Sequence, residues 1–119
     1  MDDGRRKEAG DSGESVALDY LRRQGLKLIE RNYRCKAGEI DLVMLDGATL
    51  AIVEVRYRSS NAFGGAAGSV TRRKQRRIAI ATGHLLVSRR ELRRYPARFD
   101  IVAIAPGDRI EWLKAAFTM

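Results

Sequence analysis

Two short apolar segments constrain this chain most, because each carries an acid in its middle. Gly38-Glu39-Ile40-Asp41-Leu42-Val43 is followed, across the two-residue turn signal Asp46-Gly47, by Leu50 to Arg56. Asp-Gly between alternating apolar runs marks a hairpin, so the two segments predict adjacent antiparallel strands. Ala51-Ile52-Val53 reads as central and buried on both faces. An acid inside such a strand is costly unless something compensates it. Asp41 and Glu54 therefore predict a pair of carboxylates held side by side, an oxygen-rich site for Mg2+ or Mn2+. Arg56 follows Glu54 by two residues, so both side chains fall on one face of the sheet.

The rest of the chain supplies a frame for that hairpin. At 119 residues it makes one domain with one core. Residues 1–11 read as a flexible tail and 12–119 as the folded unit. A helix is expected from about 12 to 24, capped by Asp11 or Ser12 and ended by Gly25, with Ala17, Leu18 and Leu21 inward. Leu26 to Arg34, Glu39 to Leu45 and Leu50 to Arg56 read as three meandering strands. The Gly-rich stretch 59–69 lacks the spacing of a phosphate-binding loop. A helix from Thr71 to Val87 and a shorter one from Ser88 to Arg94 follow, ended by Tyr95-Pro96. Strands at Phe99 to Ile104 and Arg109 to Leu113 close the sheet. The third and fourth strands, joined across a helix, should be parallel. The fold class is α/β, a mixed sheet flanked by helices.

Charge narrows the choice of partner. The net charge is +8, and residues 72–98 hold ten basic side chains against one acid, Glu91. The excess is a patch, which points to a polyanion such as DNA or RNA. Its members are Arg72, Arg73, Lys74, Arg76 and Arg77 at one helix start and Arg89, Arg90, Arg93 and Arg94 on the next, with Arg98 beyond. Cations at a helix start oppose the macrodipole, a local cost that favours a role in binding phosphate. The plainer reading is a solvated charged face. The single cysteine, Cys35, suits a reducing cytoplasm, and no apolar run is long enough to span a membrane.

Each acid also has a structural reading. Glu54 could be neutralised by Arg56 or Arg58 in a plain ion pair. Glu14 could complete a capping box with Asp11, or face inward as a third acidic ligand. Asp100 could satisfy an arginine or lie at the edge of the site. His84 reads as an ordinary helix residue.

Gly13-Glu14, Tyr20-Leu21, Arg31-Asn32-Tyr33-Arg34, Gly38-Glu39-Ile40-Asp41-Leu42-Val43, Val53-Glu54-Val55-Arg56, Lys74 and Arg98-Phe99-Asp100 together resemble the YraN-like family of uncharacterised bacterial proteins. That family is similar to the PD-(D/E)XK, or restriction-endonuclease-like, superfamily, and the order of the acids is similar to that in archaeal Holliday-junction resolvases. The resemblance implies a restriction-endonuclease-like fold, metal held by Glu14, Asp41 and Glu54, and catalysis by these with Arg56. It implies an endonuclease acting on DNA, including branched DNA, for which a two-fold homodimer would suit cutting both strands. Arg56 stands where the superfamily motif has lysine. Arginine keeps the charge and can clamp a phosphate, but it is no general base. Three outcomes stay open: Arg56 acts by charge alone, Lys74 reaches in from its helix, or the site is crippled; the alternative function is a nucleic-acid-binding module that does not cut.

Overall fold

The computed structural model of the chain describes residues 2–57 and 70–118, with side chains from Gly13 onward. Arg58, the Gly-rich stretch 59–69 and the Asp11 side chain lie outside the described residues. The order is helix α1 (Asp2–Arg23), strands β1 (Lys27–Cys35), β2 (Gly38–Asp46) and β3 (Thr49–Tyr57), helix α2 (Arg72–Ser88), a 3-10 helix (Arg90–Arg94), then strands β4 (Ala97–Ala105) and β5 (Arg109–Phe117).

The strands form one five-stranded sheet in sequential order. β3 and β4 are parallel and the other neighbours antiparallel. This mixed sheet, covered by a helix on each face, is consistent with a restriction-endonuclease-like architecture. Ala17, Leu18 and Leu21 of α1 pack with Leu42, Met44, Ala51, Val53, Val102 and Ile104 on one face. Ile78, Ala81 and Leu85 of α2 pack with Ile40, Val43, Leu50, Ile52, Ile101 and Ala103 on the other. Alternate residues of β3 thus serve opposite cores, which is why Ala51-Ile52-Val53 is apolar without a break. Among the described residues no helix is long and apolar enough to cross a membrane.

The first helix starts earlier than the sequence signals, β4 starts at Ala97 ahead of the expected Phe99, and β5 runs on to Phe117 past the expected Leu113, while the break after α2 falls within one residue of the expected place. α1 begins at Asp2, so Ser12 lies inside the helix and Glu14 is not in its first turn; the capping reading of Glu14 fails. α2 stops at Ser88 because Arg89 leaves the helical region (φ −123°, ψ 80°), while its N–H still reaches the Leu85 carbonyl at 2.7 Å. The chain then continues as a 3-10 turn.

One irregularity shapes the site. Asn32 in β1 has φ 55°, and the pairing passes from Arg31–Leu42 to Tyr33–Ile40 across it. Leu42 belongs to the α1 core and Ile40 to the α2 core. A regular strand keeps residues i and i+2 on one face. Here Arg31 reaches α1 at Ser15 and Tyr33 reaches α2 at His84. Asp41, between Ile40 and Leu42, sits at the crossover.

Candidate functional site

Past Leu42–Val53 the backbone pairing of β2 with β3 stops. The next free donor on β3 is taken by a side chain: Val55 N–H donates to Asp41 Oδ2 at 2.8 Å. Asp41 thus stands in for the missing ladder carbonyl where the two strands part. Its carboxyl lies beside that of Glu54, close enough for each to affect the other's protonation. Burial is the main reason Asp41 is pushed above its ordinary range, with the Val55 hydrogen bond opposing it.

Glu54 is 4% exposed. Burial first, and the Asp41 charge second, raise it to about 7. Two carboxyls so placed cannot both ionise cheaply, so the pair favours a proton or a cation between them. Among the described residues the nearest cation comes from α2: Lys74 Nζ lies 2.7 Å from Glu54 Oε1. Arg56, on β3 itself, stands off at 3.9 Å. Lys74 is the third residue of a helix capped by Thr71, whose hydroxyl accepts from the Lys74 N–H at 3.2 Å. That cap fixes the first turn and with it the origin of the lysine side chain.

The approach of α2 to β2 depends on Gly38. A Cβ there would lie 2.2 Å from the Arg77 carbonyl oxygen, so only glycine lets the strand start directly beneath the helix. Between them is a cavity of about 430 Å³ lined by Glu39, Thr71, Arg73, Lys74, Arg77 and Ile78. It shares Lys74 with the carboxyl pair.

The structure therefore brings Asp41, Glu54, Arg56 and Lys74 together, with Arg73 and Arg77 alongside. Glu14 is engaged elsewhere: it pairs with Arg31 at 3.8 Å. Among the described residues no three His, Cys, Asp or Glu side chains are grouped to hold a metal ion. The Asp41–Glu54 pair still fits a hard cation. Mg2+ is commonly held by one or two carboxylates, with water and substrate phosphate oxygens completing its shell.

The basic residues divide between two regions. Arg72, Arg73, Arg76 and Arg77 are exposed on the first turns of α2. Arg89, at its far end, is tied to Glu91 at 2.9 Å, to Glu30 at 3.5 Å and to the Ile29 carbonyl at 3.5 Å. Arg93 donates to the Leu86 carbonyl at 2.8 Å, and Arg94 stacks 4.8 Å over the Tyr95 ring. Arg90 is exposed. Arg73 and Arg77 share a cavity with Lys74 beside the carboxyl pair, whereas Arg72 and Arg76 face Phe117 and Thr118 at the end of β5; Arg89, Arg93 and Arg94 help fasten the 3-10 segment.

Asp100 resolves as a structural acid. It is fully buried and accepts from Arg98 Nε at 2.8 Å, Trp112 Nε1 at 3.1 Å and the Ala115 N–H at 3.0 Å. It pairs in register with Val53, not Glu54, so its side chain lies on the other face of the sheet. His84 is exposed and hydrogen-bonds the Tyr33 hydroxyl.

Comparison with known proteins gives a consistent result. The profile described as "Uncharacterised protein family UPF0102" matches residues 13–104, a span that includes every residue of the carboxyl cluster. A UPF0102 protein of Cupriavidus necator (strain H16) is 56% identical over 110 residues, covering 91% of this chain and 81% of the relative. One of Saccharophagus degradans (strain 2-40) is 50% identical over 112 residues and covers 94% of each. One of Pseudomonas entomophila (strain L48) is 50% identical over 113 residues, 92% of each.

Proposed function

We propose that this chain, which belongs to the uncharacterised protein family UPF0102, is a metal-dependent endonuclease of the PD-(D/E)XK type acting on DNA. The observation that carries the reading is the pairing of half-buried Asp41 with buried Glu54, with Lys74 Nζ 2.7 Å from Glu54. Like the archaeal Holliday-junction resolvases it resembles, it would act on branched DNA. Asp41 and Glu54 would hold Mg2+ or Mn2+. The cation, when bound, lowers the pKa of a coordinated water and offsets charge on the phosphate. Glu14 pairs with Arg31, so the two-carboxylate set is the one proposed.

The residues of the chain then divide the work. Hydrolysis forms one P–O bond to water and breaks one to the leaving oxygen. Lys74 and Arg56 donate to the nonbridging oxygens and steady the negative charge that grows there. Lys74 is the closer of the two to Glu54, and supplies from a helix the lysine that β3 replaces by Arg56. Asp41 would do two jobs, because the carboxyl that would hold the cation also accepts from Val55 N–H and is held rigid by it. Arg72, Arg73, Arg76 and Arg77 hold the flanking backbone, and their contribution falls with rising salt.

Calorimetric titration with Mg2+ and Mn2+ tests the metal site before any substrate is known. The wild type should bind and Asp41→Ala should not; equal binding by both removes the assignment. A second reading is a non-catalytic nucleic-acid-binding module, favoured by the Lys74–Glu54 contact, which satisfies Glu54 without metal. It predicts salt-sensitive binding without turnover, even in Arg56→Lys.

A further inference from the structure

We propose that the cavity between β2 and α2 is a subsite for one unpaired nucleotide beside the carboxyl pair, so that the preferred ligand is single-stranded nucleic acid or the loose strand of a branch. This deepens the nuclease reading and rests on it for the cut, though not for the binding. The cavity is about 430 Å³, the scale of a small-ligand pocket. Among the described residues that line it, Arg73, Lys74 and Arg77 are cationic. Arg73 and Arg77 are four residues apart on α2, so they share a face with Cβ atoms roughly 5–6 Å apart. Two cations so placed can hold a nucleotide phosphate between them.

The opposite wall is acidic. Glu39 opens β2 and is paired with Arg34 at 3.4 Å, with about half its side chain in solvent. A carboxylate repels phosphate, so the phosphate end turns to the arginines and the base end toward Glu39. There it can accept from an exocyclic amino group, as acidic side chains do from cytosine N4. Ile78 backs the same wall as the arginines from within the core. Duplex DNA keeps its bases stacked inside and presents phosphates on a convex surface, so it cannot fill a concave pocket without extruding a base, which costs a few kcal/mol. A strand already unpaired enters without that cost. Because Lys74 belongs both to this cavity and to the Glu54 contact, a nucleotide seated here places its neighbouring phosphate at the carboxyl pair.

The test is fluorescence anisotropy in EDTA, so that neither metal nor cleavage enters. Labelled dC12, dT12 and a 12-base-pair duplex are titrated with the wild type, Arg73→Ala/Arg77→Ala and Glu39→Ala. All three side chains are exposed, and circular dichroism confirms that the variants fold. The wild type should bind dC12 about tenfold more tightly than duplex and roughly fivefold more tightly than dT12. The double arginine variant should lose the preference for the single strand, and Glu39→Ala should lose only that for cytosine. Equal or tighter binding of duplex, or a single-strand preference that survives loss of both arginines, overturns the subsite. A dC12–dT12 difference that is absent from the wild type or persists in Glu39→Ala overturns the base placement. Single-strand binding with no metal uptake would leave the subsite standing and remove the nuclease reading; metal uptake with duplex preference would do the reverse.

Discussion

Replacing Glu54 by glutamine should stabilise the metal-free protein, and only at neutral to alkaline pH. An unfolded glutamate titrates near 4.5, whereas burial and the Asp41 charge raise Glu54 to about 7 in the folded chain. The folded state therefore binds this proton more tightly than the unfolded state. Its contribution is fully present below pH 4.5 and is lost as pH rises through 7. That difference in proton affinity corresponds to about 3 kcal/mol by pH 8. The glutamine side chain keeps the shape and, like the protonated acid, can donate a hydrogen bond, yet it never ionises. Lys74 loses its partner but is partly exposed and can turn to water. The variant should gain about 3 kcal/mol over the wild type at pH 8, a rise in Tm of order 10 °C for a domain of this size. At pH 4.5 the two should be alike. Thermal and urea unfolding in EDTA across pH 4.5–8 measures it. A variant no more stable than the wild type at pH 8, or stabilised equally at both ends, refutes the reasoning.

Two further outcomes follow from the packing. Gly38→Ala sets a methyl group 2.2 Å from the Arg77 carbonyl; α2 must shift, at a cost of about 1–3 kcal/mol in urea unfolding, and the Lys74–Glu54 contact should loosen with it. Asp100→Ala removes the acceptor shared by Arg98, Trp112 and Ala115. It should cost about 3–5 kcal/mol while metal affinity of the folded fraction stays unchanged, which separates this acid from Asp41 and Glu54.

The sequence exposed the hairpin, the paired acids and the two-sided burial of β3 because each is written in local pattern: Asp-Gly between apolar runs, and acids where only apolar residues are expected. It also placed α2 and the parallel return of β4. The position of the site cation was left open, since Arg56 lies on the same strand as Glu54 while Lys74 lies on a later helix, and only the docking of α2 over Gly38 makes Lys74 the nearer. The parting of β2 from β3 was hidden for a similar reason. It falls at Asp41, beside the left-handed Asn32 of β1, which carries no signal of its own in a strand pattern. Glu14 was legible as an inward-facing acid, but its partner Arg31 follows from the same crossover. The early start of α1 was obscured by Asp11, Ser12 and Gly13, which resemble a cap and a break yet lie within the helix. Arg89, Arg93 and Arg94 read as patch residues because composition does not reveal which arginines hold carbonyls and acids of their own chain.

The most direct measurement is cleavage of a labelled four-way junction and of a single strand in Mg2+ or Mn2+ by the wild type, Asp41→Ala and Glu54→Ala. Metal-dependent cutting that falls at least about a hundredfold in each variant is the expected result. Cutting that survives both substitutions in a clean preparation, or none by the wild type on either substrate, would contradict the assignment of Asp41 and Glu54 as a catalytic metal site.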